Sequence, residues 1–135
     1  MPGWGTGSFD NEDAQSFLGR LNSMGVDDLR QMLTHAGDKD YLEAPESGAA
    51  VAAAEVVAAL VAAANDEASS PATPPQILDW ISKSKAVAPP DLVEAARHAV
   101  ERVRSNSELK DLWLEAEGLN EWSAALRELK ERLSC

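Results

Sequence analysis

The sequence predicts an all-α fold, a compact single-domain bundle of about six helices spanning residues 1–135. Three observations lead there. Wherever apolar periodicity is clear it runs at steps of three and four, and no stretch alternates as a strand does. The run GAAVAAAEVVAALVAAA at 48–64 is built almost wholly from strong helix formers. A hydrophobic fraction of 44% in 135 residues is enough for one core and lies well above the disordered range.

Taken in order, Ala14, Phe17, Leu18, Leu21 and Met24 form one face of a first helix. Asp10 or Asn11 is placed to cap it, and Gly25 to end it in a left-handed conformation. Asp27 and Asp28 open a second helix through Leu29, Met32, Leu33 and Ala36, where acids suit the positive end of the dipole, and Gly37 closes it. A loop over 38–44 leads to Pro45, acceptable in the first turn of the alanine-rich helix at 45–64. Val56, Val57, Leu60 and Val61 lie on one side of that helix, and Glu55 with Val51, Ala58, Ala59 and Ala62 on the other. An alanine face admits a close neighbour, so both sides are expected to be buried and this helix to be central.

Residues 65–75 (NDEASSPATPP) read as a mobile loop. Thr73-Pro74-Pro75-Gln76 then has the form of a capping box before a short helix with Ile77, Leu78, Trp80 and Ile81. After a loop from Lys83 to Pro90, Leu92, Ala96, Ala99 and Val103 make one stripe. Ser105 and Glu108 form a second capping-box pair, ahead of Leu109, Leu112 and Trp113, and Gly118 breaks the chain. The last helix is the most regular: Leu119, Trp122, Leu126, Leu129 and Leu133 make a heptad seam. Two heptads fall short of a coiled coil, so the seam is expected to pack on the rest of the domain, with a partner or dimer face as the alternative. The four tryptophans, Trp4, Trp80, Trp113 and Trp122, suit helix junctions where a ring is buried and its N–H meets a carbonyl.

Formal charge is −11, and residues 1–48 hold nine acids against three bases. Such a balance disfavours nucleic acid and anionic membranes, which require a dense basic patch. It suits a basic protein partner, although acidity also serves solubility alone. Cys135 is the single cysteine, so no intrachain disulfide forms. No signal-peptide pattern follows Met1, and the apolar run at 48–64 is at the lower limit for a bilayer and contains Glu55. The expected setting is the reducing cytoplasm, with no membrane and a monomer or weak homodimer.

Recognisable catalytic patterns are lacking. Asp10, Glu12 and Asp13 offer oxygen ligands to a hard cation, yet adjacent residues of a helix start point apart, and capping with dipole compensation explains them. Asp38-Lys39-Asp40 opens like a calcium loop, but Leu42 falls at a ligand position and the central glycine is missing. His35 and His98 have no zinc-type spacing, and Glu94 and Arg102 flank His98 as on a solvated helix face. No serine lies in a nucleophile elbow, and Gly5-Thr6-Gly7 lacks the phosphate-loop lysine. No cofactor is expected. Glu55 is the most informative carboxylate. Within an apolar helix it is either desolvated with a raised pKa or matched to an arginine, a tryptophan N–H or a backbone amide of the glycine-rich N-terminal segment.

WGTGSFDNEDA at 4–14, AAAEVVAAL at 52–60, and SELKDLW at 107–113 followed by Trp122 resemble a family of small bacterial proteins, domain of unknown function 4259. The resemblance runs in order along nearly the whole chain. It implies weight on Trp4, Gly5, Phe9, Asn11, Asp13, Glu55, Ser107, Glu108 and Trp113. Glu12 stands where the pattern leads one to expect aspartate after Asn11. The resemblance implies no activity.

Two function classes follow. The first is a non-enzymatic protein-binding module, such as an acidic inhibitor or immunity-type partner of a basic protein. The second is a metal-assisted hydrolase in which Asp10, Asp13, Glu55 and Glu108 converge on one ion. The N-terminal segment reads as a clasp anchored by Trp4 and Phe9, with Asp10 or Asn11 as cap and Glu55 as its expected partner.

Overall fold

The computed structural model describes residues 8–9, 12–65 and 73–133. Among these are seven α-helices, where about six were expected: α1 (Glu12–Arg20), α2 (Val26–Asp38), α3 (Ala44–Ala64), α4 (Pro75–Ser84), α5 (Pro90–Ser105), α6 (Glu108–Glu115) and α7 (Leu119–Arg132). A turn of 3-10 helix, Leu21–Ser23, follows α1, and no strand is present among the described residues. The first amphipathic stretch is therefore shorter than its apolar spacing implied, because its last turn tightens before Met24.

Helix α3 is the hub. All residues from Ala50 to Val61 are buried, Glu55 included, so the helix has no face for solvent. Packed on it are α1, α2, α5 and α7, with α4 and α6 at its margins. Its two expected faces are both enclosed, and the alanines let neighbouring backbones approach. It is also the one described helix with the length and apolarity to cross a membrane, but 78% of that window is buried inside the protein.

The amphipathic helices bury the stripes expected of them. Phe17, Leu29, Leu33, Leu92 and Val100 are fully enclosed in one continuous core with the α3 residues. The α7 seam turns inward: Trp122, Leu126, Leu129 and Leu133 are buried, and Leu119 is partly so. Trp80 fixes α4 to the turn after the 3-10 segment, its ring buried and its Nε1–H donating to the Met24 carbonyl at 3.0 Å.

Several local expectations are corrected. Gly25 is extended and begins α2, where Asp28 accepts from its N–H at 2.8 Å, because the tightened 3-10 turn has already ended the first helix. Gly37 lies inside α2, one residue before its end at Asp38, and its missing Cβ leaves room for the His98 ring. Thr73 does not cap α4; Pro74 is extended at the cap position and Pro75 starts the helix. Ser105 ends α5 instead of opening α6, and Ser107 is the cap, accepting from the Lys110 N–H at 3.1 Å. Asp10 and Asn11 as caps of α1, and residues 66–72 of the expected loop, lie outside the described residues.

Gly118 illustrates a glycine used for space. The left-handed turn after α6 falls on Glu117 (φ 60°), while Gly118 has φ −111° and donates to the Trp113 carbonyl at 3.0 Å. A Cβ at Gly118 would stand 2.6 Å from Trp113 Cε3, inside van der Waals contact with a buried ring. Gly118→Ala is accordingly expected to lower the unfolding free energy by about 1–3 kcal/mol through overpacking. Denaturant melts followed by tryptophan fluorescence check it; an unchanged midpoint would remove the packing role.

Candidate functional site

Among the described residues two buried polar centres join segments distant in sequence, while the third buried polar side chain, Ser47, donates locally to the Glu43 carbonyl. The first surrounds Glu55. Its carboxylate projects from the middle of α3 and is about nine-tenths buried. From the last turn of α7, Arg132 reaches it with both terminal nitrogens, Nη1 to Oε1 at 2.7 Å and Nη2 to Oε2 at 3.1 Å. A bidentate guanidinium–carboxylate pair fixes both planes as well as the distance. From the N-terminal segment, Ser8 Oγ donates to Oε2 at 2.6 Å. Arg132 Nε in turn donates to Glu128 one turn back on α7. Burial opposes the charge on Arg132, but the hydrogen bonds and charges of Glu55 and Glu128 outweigh it and hold its pKa above the ordinary arginine value.

Of the partners foreseen for Glu55, the arginine is present, and the N-terminal segment meets it through a serine hydroxyl. Phe9 beside that serine packs against the core, and its carbonyl accepts from Gln15 Nε2 at 2.9 Å. Asp13 sits half-buried in the first turn of α1. Trp4, Gly5, Asp10 and Asn11 lie outside the described residues, as does Cys135.

The second centre joins the loop before α3 to the start of α6. Glu108 N–H donates to the Leu42 carbonyl at 2.7 Å, within an isolated bridge between Leu42 and Ser107. The Glu108 side chain accepts from the Ala44 N–H at 2.7 Å. A carboxylate from α6 thus satisfies a first-turn donor of α3, where the helix dipole favours negative charge. Ser107 is fully buried and donates to the Val103 carbonyl at 2.6 Å while capping α6. Trp113 closes this end of the fold against Gly118. At the rim, the Tyr41 hydroxyl donates to Asp111 at 2.7 Å.

The two centres are separate. The three turns of α3 from Ala44 to Glu55 span about 16 Å at ~1.5 Å per residue, so Glu108 and Glu55 do not share a ligand point. Among the described residues no three His, Cys, Asp or Glu side chains gather as metal ligands. What both arrangements do chemically is neutralise buried polar groups and hold distant segments in register.

Arg132 and Ser8 were not singled out in the sequence. Arg132 is one of seven bases in the last third of the chain, and nothing in its spacing marks it as the one that turns inward. Ser8 sits inside the WGTGSFDNEDA motif but lacks any pattern of its own.

The family model for a domain of unknown function, DUF4259, matches residues 3–125. The chain belongs to the DUF4259 family. Neither the curated proteins nor the solved structures give a match. Residues from the three segments singled out in the sequence sort onto the two centres: Ser8 and Glu55 meet at the first, Ser107 and Glu108 build the second, and Trp113 packs beside it.

Two measurements check these centres. Glu55→Ala strands a partly buried arginine, and Arg132→Met strands a buried carboxylate; each is expected to cost about 3 kcal/mol, the low end for a broken buried pair because Arg132 keeps partial exposure. The double variant should cost clearly less than the sum, whereas additive losses in denaturant melts would show that the pair is not coupled. Tyr41 is the chain's single tyrosine, so its titration is unobstructed. The hydrogen bond to Asp111, then partial burial, then the charges of Asp111 and Glu108 push its pKa up to about 12. Ultraviolet titration should find that value, and Asp111→Asn should return the midpoint toward the ordinary 10.0.

Proposed function

We propose that this DUF4259 protein is a non-enzymatic protein-binding module of the bacterial cytoplasm, an acidic monomer or weak homodimer of inhibitor or immunity type that docks a basic protein. The observation that carries the reading is the disposition of its charge. Seven of the twelve basic side chains (Arg30, Lys39, Lys83, Arg97, Arg104, Lys130 and Arg132) are engaged by the chain's own acids. Meanwhile Asp38, Asp40, Glu115, Glu117 and Glu121 are exposed with no ion-pair partner among the described residues. The field presented outward is therefore negative, of the kind that speeds encounter with a basic surface and repels nucleic acid.

The interior supports the same reading. Glu55, the carboxylate in the most apolar setting, has both oxygens engaged by Arg132 and Ser8, which suits a fold-holding role better than proton transfer. Ser107 is likewise committed to capping and to the Val103 carbonyl.

The test is affinity capture from the native host with the full chain as bait, washed at low and at high salt. A basic protein should be retained at low salt, released as screening shortens the reach of the charges, and rebind when purified. Recovery of no basic protein under gentle conditions overturns the reading.

A further inference from the structure

Helices α2 and α5 form the most extensive helix pair of the fold, yet a cavity of about 360 Å³ opens between them at the C-terminal end of α2. Its size is at the low end of the ~300–1,000 Å³ typical of ligand clefts, suited to one extended group more than to a large cofactor. Leu33, Gly37 and Ala95 give it an apolar floor, while Asp38, Asp91 and Glu94 stand at its rim. No lysine or arginine lines it among the described residues. Asp91 is shared with Arg30, Glu94 is held only at 3.5 Å by Arg97, and Asp38 has no ion-pair partner among the described residues.

Two features of α2 add to the preference for positive charge. The groove lies at the last turn of that helix, where the backbone dipole leaves partial negative charge. The Gly37 carbonyl is met by His98 Nε2 at 3.0 Å. A carbonyl only accepts, so Nε2 carries the proton, and in the neutral ring Nδ1 is left as an acceptor. Gly37 is what permits this closure, since a Cβ there would collide with the imidazole. Apolar floor, acidic rim and helix C-terminus together match a side chain with an aliphatic stem and a cationic head.

We infer that this groove receives an arginine or lysine side chain of the basic protein partner, an inference that rests on the function proposed above. The stem would lie on Leu33 and Ala95 and the head among Asp38, Asp91 and Glu94. Acids elsewhere on the surface contribute to encounter, while the groove contributes grip.

The test uses the full chain and tetra-arginine capped at both ends, titrated by amide NMR at low ionic strength. Shifts should centre on Thr34, Gly37, Ala95 and His98. Asp38→Asn with Glu94→Gln should weaken binding about tenfold, and the control pair Glu115→Gln with Glu121→Gln by about twofold or less. All four positions are exposed, and far-ultraviolet circular dichroism confirms that the variants fold. Equal weakening by both pairs, shifts centred elsewhere, or no binding overturns the groove assignment. Should the captured basic partner bind the groove variant as well as the parent, the groove assignment alone falls; if no such partner exists, the proposed function falls with it.

Discussion

Helix α3 has no side to give to water, and that constraint organises everything around it. A helix apolar on all sides is stable only when enclosed, so the other elements must surround it and cannot be arranged as a simple row. Its alanines make enclosure practicable, since small side chains bring neighbouring backbones close while Val56, Val57 and Leu60 fill the remaining volume. The amphipathic helices supply one stripe each and keep their charged faces outward, where their bases are largely matched by their own acids.

Enclosing α3 also encloses the charge at its middle, Glu55, while Glu46 in its first turn stays partly open to solvent. A buried ion pair adds little net stability compared with an apolar replacement, because two desolvation penalties oppose its attraction. What the Glu55–Arg132 pair supplies is register: a planar, two-point contact accepts one rotation and one axial setting of α7 against α3. Ser8 brings the N-terminal segment to the same point. Glu108 does a comparable service at the N-terminal end of α3, supplying from α6 an acceptor for the Ala44 N–H. The hub is thus pinned at two levels by residues remote in sequence.

The helical layout was legible because periodicity and propensity agree: the stripes of α2, α5 and α7 and the uniform apolarity of α3 each admit one interpretation. Boundaries were less legible where glycine serves more than one purpose. Gly25 and Gly37 look like helix stops, yet one begins a helix and the other makes room for His98, a contact that no local pattern encodes. Capping was misread at Ser105 because Glu108, the expected reciprocal partner, is drawn to Ala44 by tertiary structure. Glu55 stood out from its surroundings alone, but Arg132 did not, since a charge on an amphipathic helix reads the same whether it faces water or a buried acid. Trp4, Asp10 and Asn11 lie outside the described residues, so of the expected clasp only the contacts of Ser8 and Phe9 are described.

The separation of the Glu55 pair along the chain bears on how the protein is made. Arg132 follows its partner by 77 residues. At about 5–20 residues per second of synthesis, roughly 4–15 s elapse between the appearance of the acid and that of the base. During that interval the most apolar helix of the molecule holds a carboxylate without its counter-ion, and closing around it would trap an uncompensated charge. Closure around α3 before α7 exists would therefore leave that carboxylate protonated or hydrated, a cost that the docking of α7 removes.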